Sequence, residues 1–222
     1  MLYALGEPVA FVALVVSFLL ALVLRAVAIR LTARGLRLAD RREPVTPRLR
    51  EDVDPFGAVA AAIGGMGWGK MLTVDDVPRY QGRGKAIAVF AAGPVLCIVV
   101  SQLLLLIYRV AYPDNLLSLI GPADVLLGVA LPLGEQVLLS LAVGLLCFGL
   151  LALIPIPPLD GFGILHNALT RPGRGMQWMR LWFEDKNIGV LVLLVLCIFP
   201  FGFPFLLQIL NLLGLVFVRV WG

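Results

Sequence analysis

Apolar residues gather in four long blocks, at about 9–31, 86–111, 125–154 and 188–218, and the charged residues fall almost wholly between them. Each block matches or exceeds the roughly 20 residues that cross about 30 Å of hydrocarbon at about 1.5 Å per residue, so each predicts a membrane-grade helix. Two blocks carry their own breaks. In the third, Leu131-Pro132-Leu133-Gly134 separates a short lead-in helix from a main span beginning near Glu135, because proline interrupts the helical hydrogen-bond ladder. In the fourth, PFGFP at 200–204 stops a helix begun near Ile188. The following Phe205–Val218 runs into Arg219 and Trp221 like an interfacial segment, and whether it crosses is left open. The pattern predicts an all-α integral membrane protein, a compact bundle of about 4–5 transmembrane helices with short irregular or re-entrant segments. Its spans are 9–31, 86–111, 135–154 and 188–200, with a further or interfacial segment at 205–218.

Composition agrees with the pattern. The chain of 222 residues is 60% hydrophobic and 14% charged, with a mean hydropathy of +0.98, whereas soluble domains average about 45–50% apolar and about 25% charged residues. One membrane domain, 1–222, is expected, without a separate soluble domain, so that the protein acts through helix faces and short loops. The first apolar run, from Val9, has no Lys or Arg before it and no small-residue cleavage site, so it reads as a retained span rather than a signal. Cys97, Cys147 and Cys197 lie inside apolar runs without metal-ligand or disulfide spacing and read as small apolar side chains.

Charge sets the expected orientation. The loop at 32–85 carries Arg34, Arg37, Arg41, Arg42, Arg48, Arg50, Lys70, Arg79, Arg83 and Lys85. The loop near Tyr112-Pro113-Asp114 has only Arg109 at its edge, and the one at 155–187 has Arg171, Arg174, Arg180 and Lys186. The positive-inside rule therefore puts 32–85 and 155–187 in the cytoplasm and the amino terminus outside, in a multi-pass protein of the cell membrane. The net charge of +4 and pI near 9.3 come without an aromatic-interleaved basic patch. They point to anionic lipid on the cytoplasmic side and away from nucleic acid.

Three segments then attract attention: DPFGAVAAAIGGMGWGK at 54–70, AAGPVLC at 91–97 and IPIPPLDG at 154–161. The last carries Pro155, Pro157 and Pro158, whose irregular backbone survives at membrane depth only when it faces protein or a wet cavity. By itself it is also readable as a cytoplasmic turn closed by Asp-Gly. Together, in this order and spacing, the segments resemble the site-2 protease family of intramembrane zinc metallopeptidases over roughly residues 10–200. In that family a first core helix bears His-Glu-x-x-His, a later helix opens Gly-Pro-x-x-Asn, and Asn-x-x-Pro-x-Pro-Pro-x-Asp-Gly supplies the third zinc ligand.

The resemblance keeps the frame and loses the chemistry. Two imidazoles spaced i, i+4 share one helix face toward a zinc while the glutamate polarises the metal-bound water. His166 is the one histidine of this chain, and it follows the Asp-Gly turn. Laying the family pattern on the first span puts Arg25, Ala26, Val27, Ala28 and Ile29 at His-Glu-x-x-His. Cys97 and Ala152 stand at the two family asparagines, and Asp160 alone remains as a vestigial ligand position. With the two histidines and the glutamate of that pattern missing, no catalytic residues, no metal and no cofactor are expected. For Asp160 the residues leave three readings: vestigial ligand, helix N-cap, or ion-pair partner. A charge in the middle of a span is expected to find a partner, and the two family positions converge on one metal, so a structural ion pair of Arg25 with Asp160 is one expectation. The other is Arg25 at the headgroups and Asp160 capping its helix. His166 reads as a satisfied or interfacial histidine. Gly65, Gly67, Trp68 and Lys70 read either as close-packing glycines with interface anchors or as a partner or peptide surface.

Three functions follow. The leading one is a non-catalytic site-2-protease-like protein serving as a structural, binding or accessory subunit beside other membrane subunits. The second is an active metallopeptidase with an atypical or partner-completed site. The third is a small transporter or channel, against which stand the lack of an internal repeat and the few intramembrane charges.

Overall fold

The computed structural model describes residues 2–38, 45–77, 79–113, 117, 119–198 and 205–221. A 3-10 turn at Leu2–Gly6 leads into α1, Pro8–Gly35. A single turn α2, Leu49–Asp52, and α3, Pro55–Gly64, precede α4, Arg83–Ala111. Then come α5, Pro122–Leu127; α6, Leu133–Ala152; α7, Asp160–Ala168; α8, Arg174–Met179, continued by a π-helical turn Arg180–Asp185; α9, Ile188–Ile198; and α10, Phe205–Arg219. Strand pairing among the described residues is confined to one isolated antiparallel bridge, Val53 with Gly69.

Among the described residues three helices, α1, α4 and α6, are long and apolar enough to cross a membrane. The third block divides as its prolines dictate, into α5 and, after Pro132, α6. Of the expected fourth span at 188–200 the described residues form α9, whose 11 residues reach about 16 Å at about 1.5 Å per residue, short of a crossing by themselves, and residues 199 and 200 lie outside the described residues. At 15 residues, α10 is also too short alone. The PFGFP break lies outside the described residues.

The three long helices pack against one another along small side chains. On α1 the buried face runs through Ala10, Ala13, Leu14, Ser17, Ala21, Leu22 and Arg25, a three-to-four-residue repeat of mostly small groups that lets backbones approach. Ser17 Oγ donates to the Leu141 carbonyl of α6 at 3.1 Å, opposite Gly144, where a Cβ would strike that hydroxyl. Outward rows are apolar instead of polar: Val12, Val16 and Leu19 on α1, and Val95, Val99, Leu103 and Ile107 on α4. A helical repeat of exposed aliphatic residues is a face for lipid or another helix.

Outside the long helices, α3 is N-capped by the Asp54 carboxylate, which accepts from the N–H groups of Phe56 at 2.7 Å and Gly57 at 3.0 Å. It stops at Gly65, whose φ of +78° suits glycine. The π-helical turn is tied to the loop after α3 by an ion pair of Arg180 with Asp75 and by Glu184, which is buried. Burial pushes the Glu184 carboxyl up to about 7, with Asp185 and Asp75 acting in the same direction and Arg180 and a hydrogen bond from the Val74 backbone opposing. A raised carboxyl pKa means the folded state holds a proton that the unfolded state releases above about 4.5. That contribution is full below pH 4.5 and is lost as pH rises through about 7. Thermal unfolding in detergent is expected to shift downward across this window, and Glu184→Gln to flatten the shift; an unchanged profile in the variant would place the titration elsewhere.

Candidate functional site

The site is built where the middle of α1, the segment after α3 and the start of α7 meet. Proline at 155, 157 and 158 ends α6 and prevents its continuation, so the chain folds back and α7 begins at Asp160 with Leu159 as its N-cap. The Pro157–Pro158 bond is cis. Asp160 is therefore the first residue of the helix instead of its cap, and it makes no capping hydrogen bond with its own helix. Its carboxylate is enclosed, with the residue 2% exposed.

Arg25 of α1 reaches it. Nε donates to Oδ2 at 2.8 Å and Nη2 to Oδ1 at 2.5 Å, a bidentate fork that uses both carboxylate oxygens. The remaining terminal nitrogen, Nη1, donates to the Lys70 carbonyl at 2.7 Å. The Lys70 N–H in turn donates to the Asp52 carbonyl at 2.8 Å, and the Asp52 carboxylate pairs with Arg30 of α1 at 2.6 Å. One turn of α1 thus holds two irregular segments through a single chain of hydrogen bonds. The guanidinium stem passes over α4 at Gly93, where a Cβ would stand 2.5 Å from Arg25 Cγ. Glycine is needed there for space, not for backbone freedom.

Around the pair lie Gly67, Trp68, Gly69, Met71, Phe148, Ala152 and Pro158, with room for about one water. Trp68 is buried, and its indole N–H has no partner among the described residues. Of the four residues considered as a peptide surface, Gly65, Gly67 and Trp68 are interior wall and Lys70 alone is exposed. The segment after α3 lies inward between α1 and α6, with Gly65 and Gly67 beside Leu14, Phe18 and Phe148. Lys70 enters the site by its carbonyl, not its side chain.

His166 is buried near Phe162, with ring centroids 6.0 Å apart, and does not line the pocket around Asp160. Cys97 Sγ lies 3.7 Å from the Ala21 carbonyl. No group of three or more His, Cys, Asp or Glu side chains is placed to hold a metal ion among the described residues. The zinc that the family resemblance implies does not fit these residues. Both oxygens of Asp160 are engaged, the neighbouring α1 positions carry Arg25, Ala26 and Ile29, and a guanidinium at hydrogen-bond distance repels a dication.

Sequence reasoning left out Gly93 and the Lys70 carbonyl. The Gly-Pro step of AAGPVLC was a signal for the first, since a glycine one residue before a helix-interior proline marks a place where something approaches the backbone. A carbonyl acceptor leaves no signal in residue identity.

No protein-family model matches the chain, and no solved structure does. In sequence it is 28% identical over 162 residues, 72% of this chain and 67% of the relative, to a protein of Bacillus subtilis (strain 168) named "Putative zinc metalloprotease YwhC". Sequence likeness and apolar helices together describe a membrane protein similar to one named as a "Putative zinc metalloprotease".

Proposed function

We propose that the chain is a catalytically silent, site-2-protease-like membrane protein that serves as a structural, binding or accessory subunit of a larger membrane complex. The observation that carries this reading is the bidentate Arg25–Asp160 pair. A permanently charged guanidinium sits against the single carboxylate that the family resemblance makes a metal ligand, so the scaffold is closed by an ion pair where a peptidase is closed by its metal. The exposed aliphatic rows on α1 and α4 supply faces for partner helices. In this reading the bundle has four to five crossings, α9 and α10 contributing the remainder or lying at the interface. The Lys/Arg-rich segments 32–85 and 155–187 are cytoplasmic and the amino terminus is outside.

The sequence likeness to a protein named as a zinc metalloprotease favours a second reading, a metallopeptidase whose ligands are completed by a partner chain. Metal analysis of protein purified in a mild detergent separates the two. The first reading expects no stoichiometric zinc and copurifying membrane proteins. Stoichiometric zinc that disappears in Asp160→Asn supports the second, and migration as a lone monomer from native membranes removes the accessory-subunit role.

A further inference from the structure

The segment between α7 and α9 presents a surface that neither the core nor the Arg25 site uses. From Arg174 to Asp185 the chain is continuously helical, and Trp178, Leu181 and Trp182, spaced i, i+3, i+4, are exposed on it, Trp178 by 56%. Leu165 and Leu169 just before it are exposed as well. The aromatic groups form one cluster: the Trp178 ring centroid lies 6.1 Å from Trp182 and 6.4 Å from Phe183. Lys186 Nζ stands 3.8 Å over the Trp182 ring. Arg171 and Arg174 are exposed and make no ion pair with a described residue.

This surface has a fixed place in the bundle. Arg180 pairs with Asp75, and the adjoining Val77 packs with Ala86 and Val89 at the start of α4 and against Ile29 and Ala33 toward the end of α1. It therefore lies at the end of the long helices where Arg30, Arg34, Arg83 and Lys85 also gather. Two tryptophans and aliphatic groups flanked by unpaired cations, at the end of membrane-crossing helices, match a layer with phosphates above and acyl chains below. An apolar protein groove would bury the aromatic residues but leave the flanking arginines uncompensated.

We propose that residues 169–186 dock onto an anionic phospholipid surface, with Trp178, Leu181 and Trp182 at the acyl boundary and Arg171, Arg174 and Lys186 against lipid phosphates. The docked segment holds the 72–77 loop through Arg180–Asp75. The inference rests on membrane embedding and stands whether or not the protein has catalytic activity or partner subunits.

The test uses the full chain reconstituted in vesicles of phosphatidylcholine, with or without phosphatidylglycerol, and chains brominated near the glycerol end. The difference in fluorescence between the wild type and Trp178→Phe/Trp182→Phe reports on these two indoles. Bromolipid quenching of that difference is expected, stronger with phosphatidylglycerol. Arg171→Glu/Arg174→Glu is expected to weaken the anionic preference by roughly fivefold per arginine, while Arg171→Lys/Arg174→Lys keeps it. Quenching by aqueous iodide instead of bromolipid, or equal quenching in both lipid mixtures, overturns the proposal; protection from both quenchers assigns the surface to a protein partner and also overturns it.

Discussion

Arg25→Ala and Asp160→Ala are each expected to destabilise the protein by about 3–5 kcal/mol, because each leaves the other charge buried without its partner. The expectation follows from enclosure: Asp160 is 2% exposed and Arg25 9% exposed, and the fork between them uses both carboxylate oxygens. Solvent does not screen such a pair as it does a surface salt bridge. Asp160→Ala also leaves Arg25 held by the Lys70 carbonyl alone, so the segment after α3 is expected to loosen with it. The double variant Arg25→Ala/Asp160→Ala is the informative companion, because coupling is read from the same two substitutions made singly and together. It removes both charges together, so neither is left buried without its partner. Unfolding in detergent, followed by loss of near-UV dichroism, is expected to give single-variant losses whose sum exceeds that of the double change. Strict additivity would mean that the two side chains act independently and would remove the pair from the scaffold's closure.

The parts of this arrangement visible in the sequence are those carried by side-chain chemistry. Arg25 is conspicuous because it interrupts an apolar run, and Asp160 because three prolines precede it. The division of the third block into α5 and α6 was legible from Pro132, since a proline removes a helical donor wherever it stands. For the fourth block hydropathy counts apolar residues without reading where a helix stops, and its described first part is α9, Ile188–Ile198. Trp68 shows a related limit of residue type as a signal. Tryptophan beside lysine is the usual signature of an interface anchor, yet here Lys70 is exposed while Trp68 is buried with the rest of 64–69. Contacts made by backbone, such as Arg25 to the Lys70 carbonyl, have no residue-type signature at all.

A second large effect, one of packing, is expected at the glycines that bring α3 against the segment following it. A Cβ added at Gly57 would collide with the Trp68 carbonyl, and one added at Gly67 would collide with the Gly57 carbonyl and come within 2.7 Å of Ala61 Cβ. The two positions face each other, so backbone touches backbone and no rotamer change relieves the clash. Their backbone dihedrals are ordinary, unlike that of Gly65, so the requirement is for space and not for a left-handed conformation. Gly57→Ala and Gly67→Ala are each expected to destabilise by about 1–3 kcal/mol or more, the usual range for overpacking. Because Gly67 and Trp68 line the pocket around Arg25 and Asp160, prying this contact open should also shift the Lys70 carbonyl from Nη1. Combining Gly67→Ala with Arg25→Ala is then expected to lose less than the sum of the two, since each loosens the same segment. As a control, Gly84→Ala has nothing within 4 Å of the added methyl and sits in the first turn of α4, so it should leave stability unchanged or slightly raised. Equal stability for Gly67→Ala and Gly84→Ala would show that α3 and its following segment are not held at the contact distance that closes the wall of the Arg25 site.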